Sequence, residues 1–462
     1  MEQHPIAFAG FPNADAPTQE LISRCVHCGL CLPTCPTFAE LGVEMDSPRG
    51  RIRLMKSVWD GRIDVASDGF DEHMYKCLDC RACETACPSG VEFGKLMEGA
   101  RSQVEAARRR ALPERLVRWI VFHQLITHPG RLAAFARLGH LTKRFGGRWI
   151  LRRIGLGRLA TLLSLVPDDA PTSAALPARL AAQGKVRGRV ALFTGCVMRA
   201  AFAATNAATA RVLARNGIEV LVPATQTCCG ALHAHAGERA DARALAKRNI
   251  GDLEALPVDA FVVNAAGCGA NLKEYGWLLK DDPAWAERAQ RFSARVRDAS
   301  EYLAGVGLSS PPGTLNVCAA YDDPCHLLHG QKIKEQPRAL LAAIPGLTLV
   351  PLGEADWCCG SAGTYNVTQP ELAARLGHRK AEHVARSGAD LVVTANPGCQ
   401  MQIAAALRDA GSPVAVVHLM DLLDRAYAGD RADADGRTAG GDRSNAADRA
   451  DGTDAFPHAD RR

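Results

Sequence analysis

Two runs of cysteine carry the densest chemistry in this chain: C-V-H-C-G-L-C-L-P-T-C-P over Cys25–Pro36 and C-L-D-C-R-A-C-E-T-A-C-P over Cys77–Pro88. Each reads C-x2-C-x2-C-x3-C-P, a spacing whose thiolates wrap a cubane [4Fe–4S] cluster. Three thiolates on one turn grip three irons of one cube, and the cysteine before proline reaches across to the other cube. The spacing therefore assigns Cys25, Cys28, Cys31 and Cys87 to one cluster, and Cys77, Cys80, Cys83 and Cys35 to a second. Structural zinc also uses C-x2-C pairs, but it closes at four ligands and fits two proline-ended runs poorly. The chemistry implied is one-electron transfer.

A second group of cysteines recurs along the chain. Cys196, the pair Cys228–Cys229 and Cys268 repeat as Cys325, the pair Cys358–Cys359 and Cys399, in nearly constant register. Both pairs run on into glycine, T-C-C-G-A and W-C-C-G-S. Each cysteine follows a short apolar run and stands near the start of a helical pattern. In an open α/β sheet ligands collect there, outside the carboxyl ends of the strands. A helix N-terminus also favours a thiolate. The eight are expected to form two metal or redox sites, with the glycines letting backbone approach the metal. Cys318 has no counterpart in the first repeat and reads as a packing residue. His233 and His235 follow the first pair, and His326 and His329 flank Cys325; each suits a metal or a quinone-like acceptor, but a hydrogen-bonded structural role is favoured. A G-x-G-x-x-A match at Gly155–Ala160 lacks a preceding strand and is read as chance.

The elements that must position these groups are legible from apolar periodicity. The runs at 190–195, 218–223 and 260–265 return at 315–321, 347–352 and 389–396, with helical stretches such as Ala208–Gly217 between them. Strand–helix alternation predicts buried parallel strands. The expected fold is α+β and multidomain: an N-terminal α-helical ferredoxin-type domain with two [4Fe–4S] clusters, then two tandem α/β Cys-Cys-Gly repeats with parallel sheets. Expected boundaries are a flexible N-terminus at 1–20, the ferredoxin-type domain at 21–100 and a basic helical connector and linker at 101–186. The repeats follow at 187–310 and 311–428, with a disordered tail at 429–462. Between the cysteine runs, Ser47–Lys56 reads as a capped helix with proline in its first turn.

Charge is uneven. The 462 residues carry a formal net charge of +5, but Arg108–Arg158 holds 13 Lys/Arg against one acid, Glu114. Arginines alternate there with Leu, Ile, Val, Phe and Trp. Such a stretch can lie on an anionic membrane; linker helices with a solvated basic face, or a docking surface for an acidic partner, are the favoured reading. No stacking aromatics or reader motif point to nucleic acid. Seventeen cysteines in metal-ligand spacings, with no apolar span and no secretory signal, point to a reducing cytoplasm.

Several longer strings resemble one family: V-H-C-G-L-C-L-P-T-C-P-T, S-P-R-G-R-I, L-P-E-R at Leu112–Arg115, G-C-G-A-N-L-K-E-Y-G at Gly267–Gly276, C-C-G-S-A-G-T-Y at Cys358–Tyr365 and T-A-N-P-G-C-Q at Thr394–Gln400. Over residues 20–425 the chain resembles the iron–sulfur subunits of glycolate oxidase (glycolate dehydrogenase). Its repeat is similar to the Cys-Cys-Gly domain of heterodisulfide reductase and of lactate-utilisation iron–sulfur subunits. The resemblance implies a FAD-containing partner that oxidises glycolate to glyoxylate, a second FAD-binding-type subunit, and delivery of electrons to a quinone or respiratory acceptor. It implies no catalysis by this chain alone; peripheral contact with the cytoplasmic membrane is the option that the basic stretch leaves open beside a cytoplasmic location. D-lactate or another 2-hydroxyacid is the alternative substrate. Heterodisulfide-type repeats end in C-x-x-C, whereas here Cys268 is followed by G-A-N and Cys399 by Q-M-Q. A five-cysteine non-cubane cluster therefore does not carry over; a compact cluster, a zinc or an empty thiol site stays open.

Overall fold

Ser47 stands before Pro48 in the loop between the two cysteine runs, and its hydroxyl accepts the N–H of Gly50 at 3.0 Å. A capping oxygen and an early proline start the helix Pro48–Trp59, as its sequence predicts. The computed structural model of the chain describes residues 10–155, 157–167 and 176–434. Pro48–Trp59 packs with the helices Asp68–Lys76 and Phe93–Ala107 through Ile52, Met55, Phe70, Met74, Leu96 and Met97. Phe11 and Ala16 join this core, and Asp15 accepts both terminal nitrogens of Arg243 at 2.7 Å. Residues 1–9 lie outside the described residues.

The connector is helical over Leu112–Trp119, Pro129–Arg144, Gly147–Arg153 and Gly157–Ser164. The first two of these are joined through a widened turn at Ile120–Leu125, closed by Ile126 N–H on the Val121 carbonyl at 3.0 Å. Gly155–Ala160 follows a helix, so the glycine motif lacks the strand that a dinucleotide site needs. Most of the Pro/Ala-rich linker, 168–175, lies outside the described residues.

Nine strands follow: β1 (Arg179–Leu180), β2 (Gly188–Phe193), β3 (Ile218–Leu221), β4 (Ala260–Val263), β5 (Val296–Asp298), β6 (Val317–Tyr321), β7 (Leu347–Val350), β8 (Leu391–Thr394) and β9 (Ala415–His418). They form two sheets, ordered β1-β3-β2-β4-β5 and β7-β6-β8-β9. All pairings are parallel except β1 with β3, so the first sheet carries one short antiparallel edge. The order β3-β2-β4-β5 is repeated by β7-β6-β8-β9, which is the internal repeat in three dimensions. β4 and β8 are buried at every position, which is why their sequences read as unbroken apolar runs. One core runs through both repeats, from Val190 and Leu192 to Val393, Leu419 and Tyr427. The last helix, Leu419–Ala434, extends past the expected repeat end at 428; the rest of the expected tail lies outside the described residues.

The ferredoxin-type region is seated on the repeats. Tyr365 donates its hydroxyl to the Lys76 carbonyl at 2.9 Å, and Thr85 meets His329 Nδ1 at 3.0 Å.

Candidate iron–sulfur and thiol sites

The two cysteine runs share an unusual backbone. The residues before and after the second cysteine of each run are left-handed: His27 (φ 55°) and Gly29 (φ 87°), then Asp79 (φ 52°) and Arg81 (φ 63°). For His27, Asp79 and Arg81 this costs about 1 kcal/mol or more each. A strained turn repeated at matching places is what curls backbone N–H groups inward round an anion.

Burial grades the two sets. Cys28 is exposed and Cys25, Cys31 and Cys87 are half-buried, while Cys35, Cys77, Cys80 and Cys83 are all buried. Burial pushes the Cys25 thiol pKa up, and the neighbouring Cys87 and Cys28 thiols add to it. Burial likewise raises Cys83 far above its usual range, with Cys80, Cys77 and Cys35 contributing. Cys35 thus lies with the second run's thiols, and all four line one internal cavity. Among the described residues no disulfide joins them. Crowded thiols with no covalent partner round a cavity are a donor set that fits a thiolate-held cluster.

Two buried arginines hold this arrangement, and sequence reasoning missed both. Arg51 donates from Nε to the His73 carbonyl (2.7 Å) and from Nη1 to Thr37 Oγ1 (3.2 Å), and pairs with Asp46 at 3.2 Å. It ties the loop after Cys35 to the helix before Cys77. Arg101 donates to the Met74 carbonyl at 3.0 Å and to the His235 carbonyl at 2.8 Å, joining that helix to the first repeat. The S-P-R-G-R-I string contained the first signal; nothing marked the second.

The repeat cysteines come together in two separate sets of four. In the first, Cys196 Sγ lies 3.5 Å from Cys228 Sγ, and the Cys229 thiol is a close electrostatic neighbour of Cys228 and Cys268. In the second, the Cys358 thiol neighbours Cys325 and Cys359, and the Cys359 thiol neighbours Cys399, all of them free thiols. Each set stands beyond the carboxyl ends of β2, β3, β4 or of β6, β7, β8, as expected for a doubly wound sheet. Gly230 (φ 87°) and Gly360 (φ 89°), after each pair, are left-handed, and a Cβ there would meet Ala242 or the Ala373 carbonyl. They admit a helix, and the Gly230 N–H also reaches Cys228 Sγ at 3.4 Å.

Amides occupy the places where a C-x-x-C ending would put a further cysteine. Asn271 donates to the Cys229 carbonyl at 2.6 Å, beside Tyr275 (2.7 Å), while Gln402 donates to the Ala373 carbonyl at 2.9 Å. Both brace the fold and neither offers a thiolate.

The sets have different company. Phe122 and Ile126 of the connector pack on Cys196 and Cys228. Cys325 and Cys358 pack instead with Leu78, Cys80, Ala82 and Tyr365, and the Cys325 thiol adds to the burial that drives Cys80 upward. A buried Lys380–Asp322 pair at 3.0 Å lies against the second set, where the neighbouring Cys358 and Cys399 thiols and then the ammonium favour the Cys359 thiolate. Cys318, in β6, is half-buried, its N–H held by Asp390 at 2.9 Å.

The histidines divide in two. His233 bonds the Phe122 carbonyl (3.2 Å), and His329 bridges Thr85 and the Asp356 carbonyl, so both are structural. His235 and His326 meet each other and charged or thiol groups. His235 Nδ1 lies 3.2 Å from Asp79 Oδ2 and from Glu98 Oε1, its Nε2 is 3.2 Å from His326 Nε2, and His326 Nδ1 is 3.4 Å from Cys325 Sγ.

Known proteins match this layout segment by segment. A 4Fe-4S dicluster domain matches residues 21–91, and a cysteine-rich domain matches 190–273 and 319–404. The connector at 113–164 matches a model described as the linker region of the glycolate oxidase iron-sulfur subunit. The probable glycolate oxidase iron-sulfur subunit of Bacillus subtilis (strain 168) is 41% identical, over 87% of this chain and 93% of its own length. The glycolate oxidase iron-sulfur subunit of Escherichia coli (strain K12) is 35% identical, over 90% of this chain and 96% of its own. The chain belongs to the glycolate oxidase iron–sulfur subunit family. As a family member it is an iron–sulfur electron carrier of an oxidoreductase, not a catalyst by itself. A lactate utilization protein A from Geobacillus thermodenitrificans (strain NG80-2) is 33% identical over 51% of this chain and 98% of its own length. No helix among the described residues is long and apolar enough to cross a membrane.

Proposed function

We propose that this chain relays electrons inside a glycolate-oxidising complex, from a FAD-containing subunit to a quinone or other respiratory acceptor, in the cytoplasm. A second FAD-binding-type subunit completes the complex in this reading. Cys25, Cys28, Cys31 and Cys87 hold one [4Fe–4S] cluster, and Cys77, Cys80, Cys83 and Cys35 the other. Each repeat set holds a further compact cluster or a zinc ion. Such clusters, when bound, supply one-electron storage between a two-electron flavin and the acceptor.

One observation carries the reading: the thiol sets form a graded series from the surface inward. Cys28 is exposed, the Cys77 set is buried behind it, and Cys80 packs directly against Cys325 of the second repeat. Entry is at the exposed end. Val26, Leu30, Val43 and Met45 are exposed apolar residues there, and Arg49 joins their two loops through Glu44 (2.7 Å) and the His27 carbonyl (3.4 Å). This patch is where the flavoprotein docks. The similarity to a lactate utilization protein A favours lactate, as its D-isomer in this reading, as a second substrate, the substrate pocket being assigned to another chain.

The test is anaerobic reduction of the assembled complex, followed by EPR. Glycolate should reduce the clusters, and Leu30→Glu with Met45→Glu should block this while dithionite still reduces them. Clusters that dithionite reduces but neither glycolate nor D-lactate does, in the intact wild-type complex, would sink the reading.

A further inference from the structure

The connector is apolar on two sides. Its inner side covers the first repeat: Phe122 and Ile126 are buried on Cys196 and Cys228, with Leu132 partly buried beside them, and Gly139 admits Val166. A linker helix needs no second apolar face. Yet twelve of the eighteen exposed large apolar side chains among the described residues lie between Leu112 and Ile154. On the helix Pro129–Arg144 and its cap they fall at Phe135, Leu138, Leu141 and Phe145, spaced three, three and four apart, which makes one stripe. Leu138 is 61% exposed, Phe145 73% and Trp149 64%. Leu116, Trp119 and Ile120 continue the pattern on the preceding helix.

The charge round this face has one sign. Arg115, Arg131, Arg137, Arg144 and Arg153 are exposed along it, and Arg153 lies over the Trp149 ring at 4.9 Å. The only acid in the stretch, Glu114, is taken up by Arg110 at 2.5 Å. Exposed Trp, Phe and Leu beside unneutralised arginine is the composition that sits at the boundary of an anionic bilayer. A nucleic acid would use the arginines and leave the apolar stripe in water. The electron donor has its own apolar patch beside Cys28, so it does not need this one.

We propose that the outer face of the connector, from Leu112 to Ile154, docks the chain on an anionic lipid surface. The apolar stripe enters the headgroup boundary and the arginines meet lipid phosphates. The chain then rests on the membrane without a span, with the first repeat's cysteine site directly beneath the docked helices. The inference goes beyond the electron-relay reading and does not depend on its substrate.

Flotation of the full chain, clusters intact, with phosphatidylcholine vesicles containing about one-third phosphatidylglycerol tests it. The chain should float with these vesicles, bind pure phosphatidylcholine far less, and be released by raised salt. Brominated lipid should quench tryptophan emission, and Trp119→Phe with Trp149→Phe should remove that quenching. Phe135→Glu with Phe145→Glu should weaken partition by about tenfold or more, whereas Val186→Glu with Val367→Glu should leave it unchanged. No flotation on anionic vesicles overturns the proposal. So does flotation unaffected by Phe135→Glu with Phe145→Glu, or loss of flavoprotein binding in that variant with lipid binding intact. Glycolate-driven reduction is scored separately, so either reading can fail alone.

Discussion

His235 and His326 face each other Nε2 to Nε2 at 3.2 Å, one imidazole from each Cys-Cys-Gly repeat. Behind His235 stand two buried carboxylates, Asp79 from the second cysteine run and Glu98 from the helix Phe93–Ala107. Burial opposes a charge on His235, but the two carboxylates outweigh it and hold its pKa at about 9. A proton on His235 Nε2 would pair with the His326 tautomer that carries its own proton on Nδ1, towards Cys325 Sγ. Three parts of the chain are thereby coupled through one line of ion pairs and histidine contacts.

That line should be visible in stability against pH. A histidine at about 9 folded and about 6.5 unfolded stabilises the fold fully below pH 6.5. The contribution fades as pH rises through 9, and the whole effect is about 3 kcal/mol. Asp79 is depressed despite its burial, because His235 pairs with it, so its contribution is present above its unfolded value near 4 and fades on acidification. Stability should therefore peak between about pH 5 and 6.5. Urea unfolding at pH 6.5 and 9.5 checks this; His235→Gln should remove most of the difference between them.

His326 should tune the site that Cys325 belongs to. An N–H directed at a ligand sulfur favours the reduced, more negative state. One such bond is about 1 kcal/mol, on the order of 40 mV for a one-electron couple. With a compact cluster rather than redox-inert zinc in the second repeat, His326→Leu should lower its potential by that amount, and His326→Asn, which keeps a donor, should restore part of it. An EPR-monitored redox titration reads both; equal potentials in wild type and His326→Leu would remove the assigned role.

Crossed ligation gives a separate test in the N-terminal domain. Cys35 belongs spatially with Cys77, Cys80 and Cys83, although it follows Cys31 in sequence. Cys35→Ser should damage the buried cluster and spare the one near the surface. EPR of the dithionite-reduced chain distinguishes them, because only the surface cluster should broaden with an added paramagnetic relaxant.

Much of this was legible in the sequence for a physical reason. Metal spacing is local, so Cys25 to Cys87 could be sorted without a fold. Buried parallel strands are nearly all apolar, so β2, β3, β4 and β6, β7, β8 could be found. β5 and β9 were missed because V-R-D and A-V-V-H are short and carry polar ends. Asp79, Glu98, Arg51 and Arg101 were missed because their partners are distant in sequence, and no spacing announces a long-range hydrogen bond. The contacts of Phe11, Asp15 and Ala16 were likewise illegible, because their partners lie far along the chain.

The Lys380–Asp322 pair offers a stability prediction inside the second repeat. Both side chains are buried, and Thr394 also donates to Asp322 at 3.1 Å. Lys380→Met leaves a buried carboxylate without its cation, which costs about 3–5 kcal/mol. It also removes the positive charge next to Cys359 and Cys399. Denaturant midpoint should fall, and metal content of the second site should fall with it. Lys380→Met with Asp322→Leu should recover stability but not the metal.

The two repeats should differ when their cysteines are removed, although their folds match. Cys325 packs with Cys80, so the second set adjoins the buried ferredoxin-type cluster. Cys196 and Cys228 instead lie under Phe122 and Ile126 of the connector. If electrons leave the N-terminal domain through the nearest thiol set, they leave by the second repeat. In the assembled complex, Cys325→Ser should let glycolate reduce the N-terminal clusters but stop their reoxidation by a quinone analogue. Cys196→Ser should leave reoxidation near the wild-type rate. It should instead loosen the connector, because a buried hydroxyl without a partner costs about 1–3 kcal/mol, seen as faster amide exchange over 112–126. Stopped-flow reoxidation and hydrogen exchange on the same two variants separate the roles. Slow reoxidation in Cys196→Ser with a normal rate in Cys325→Ser would reverse the assigned path.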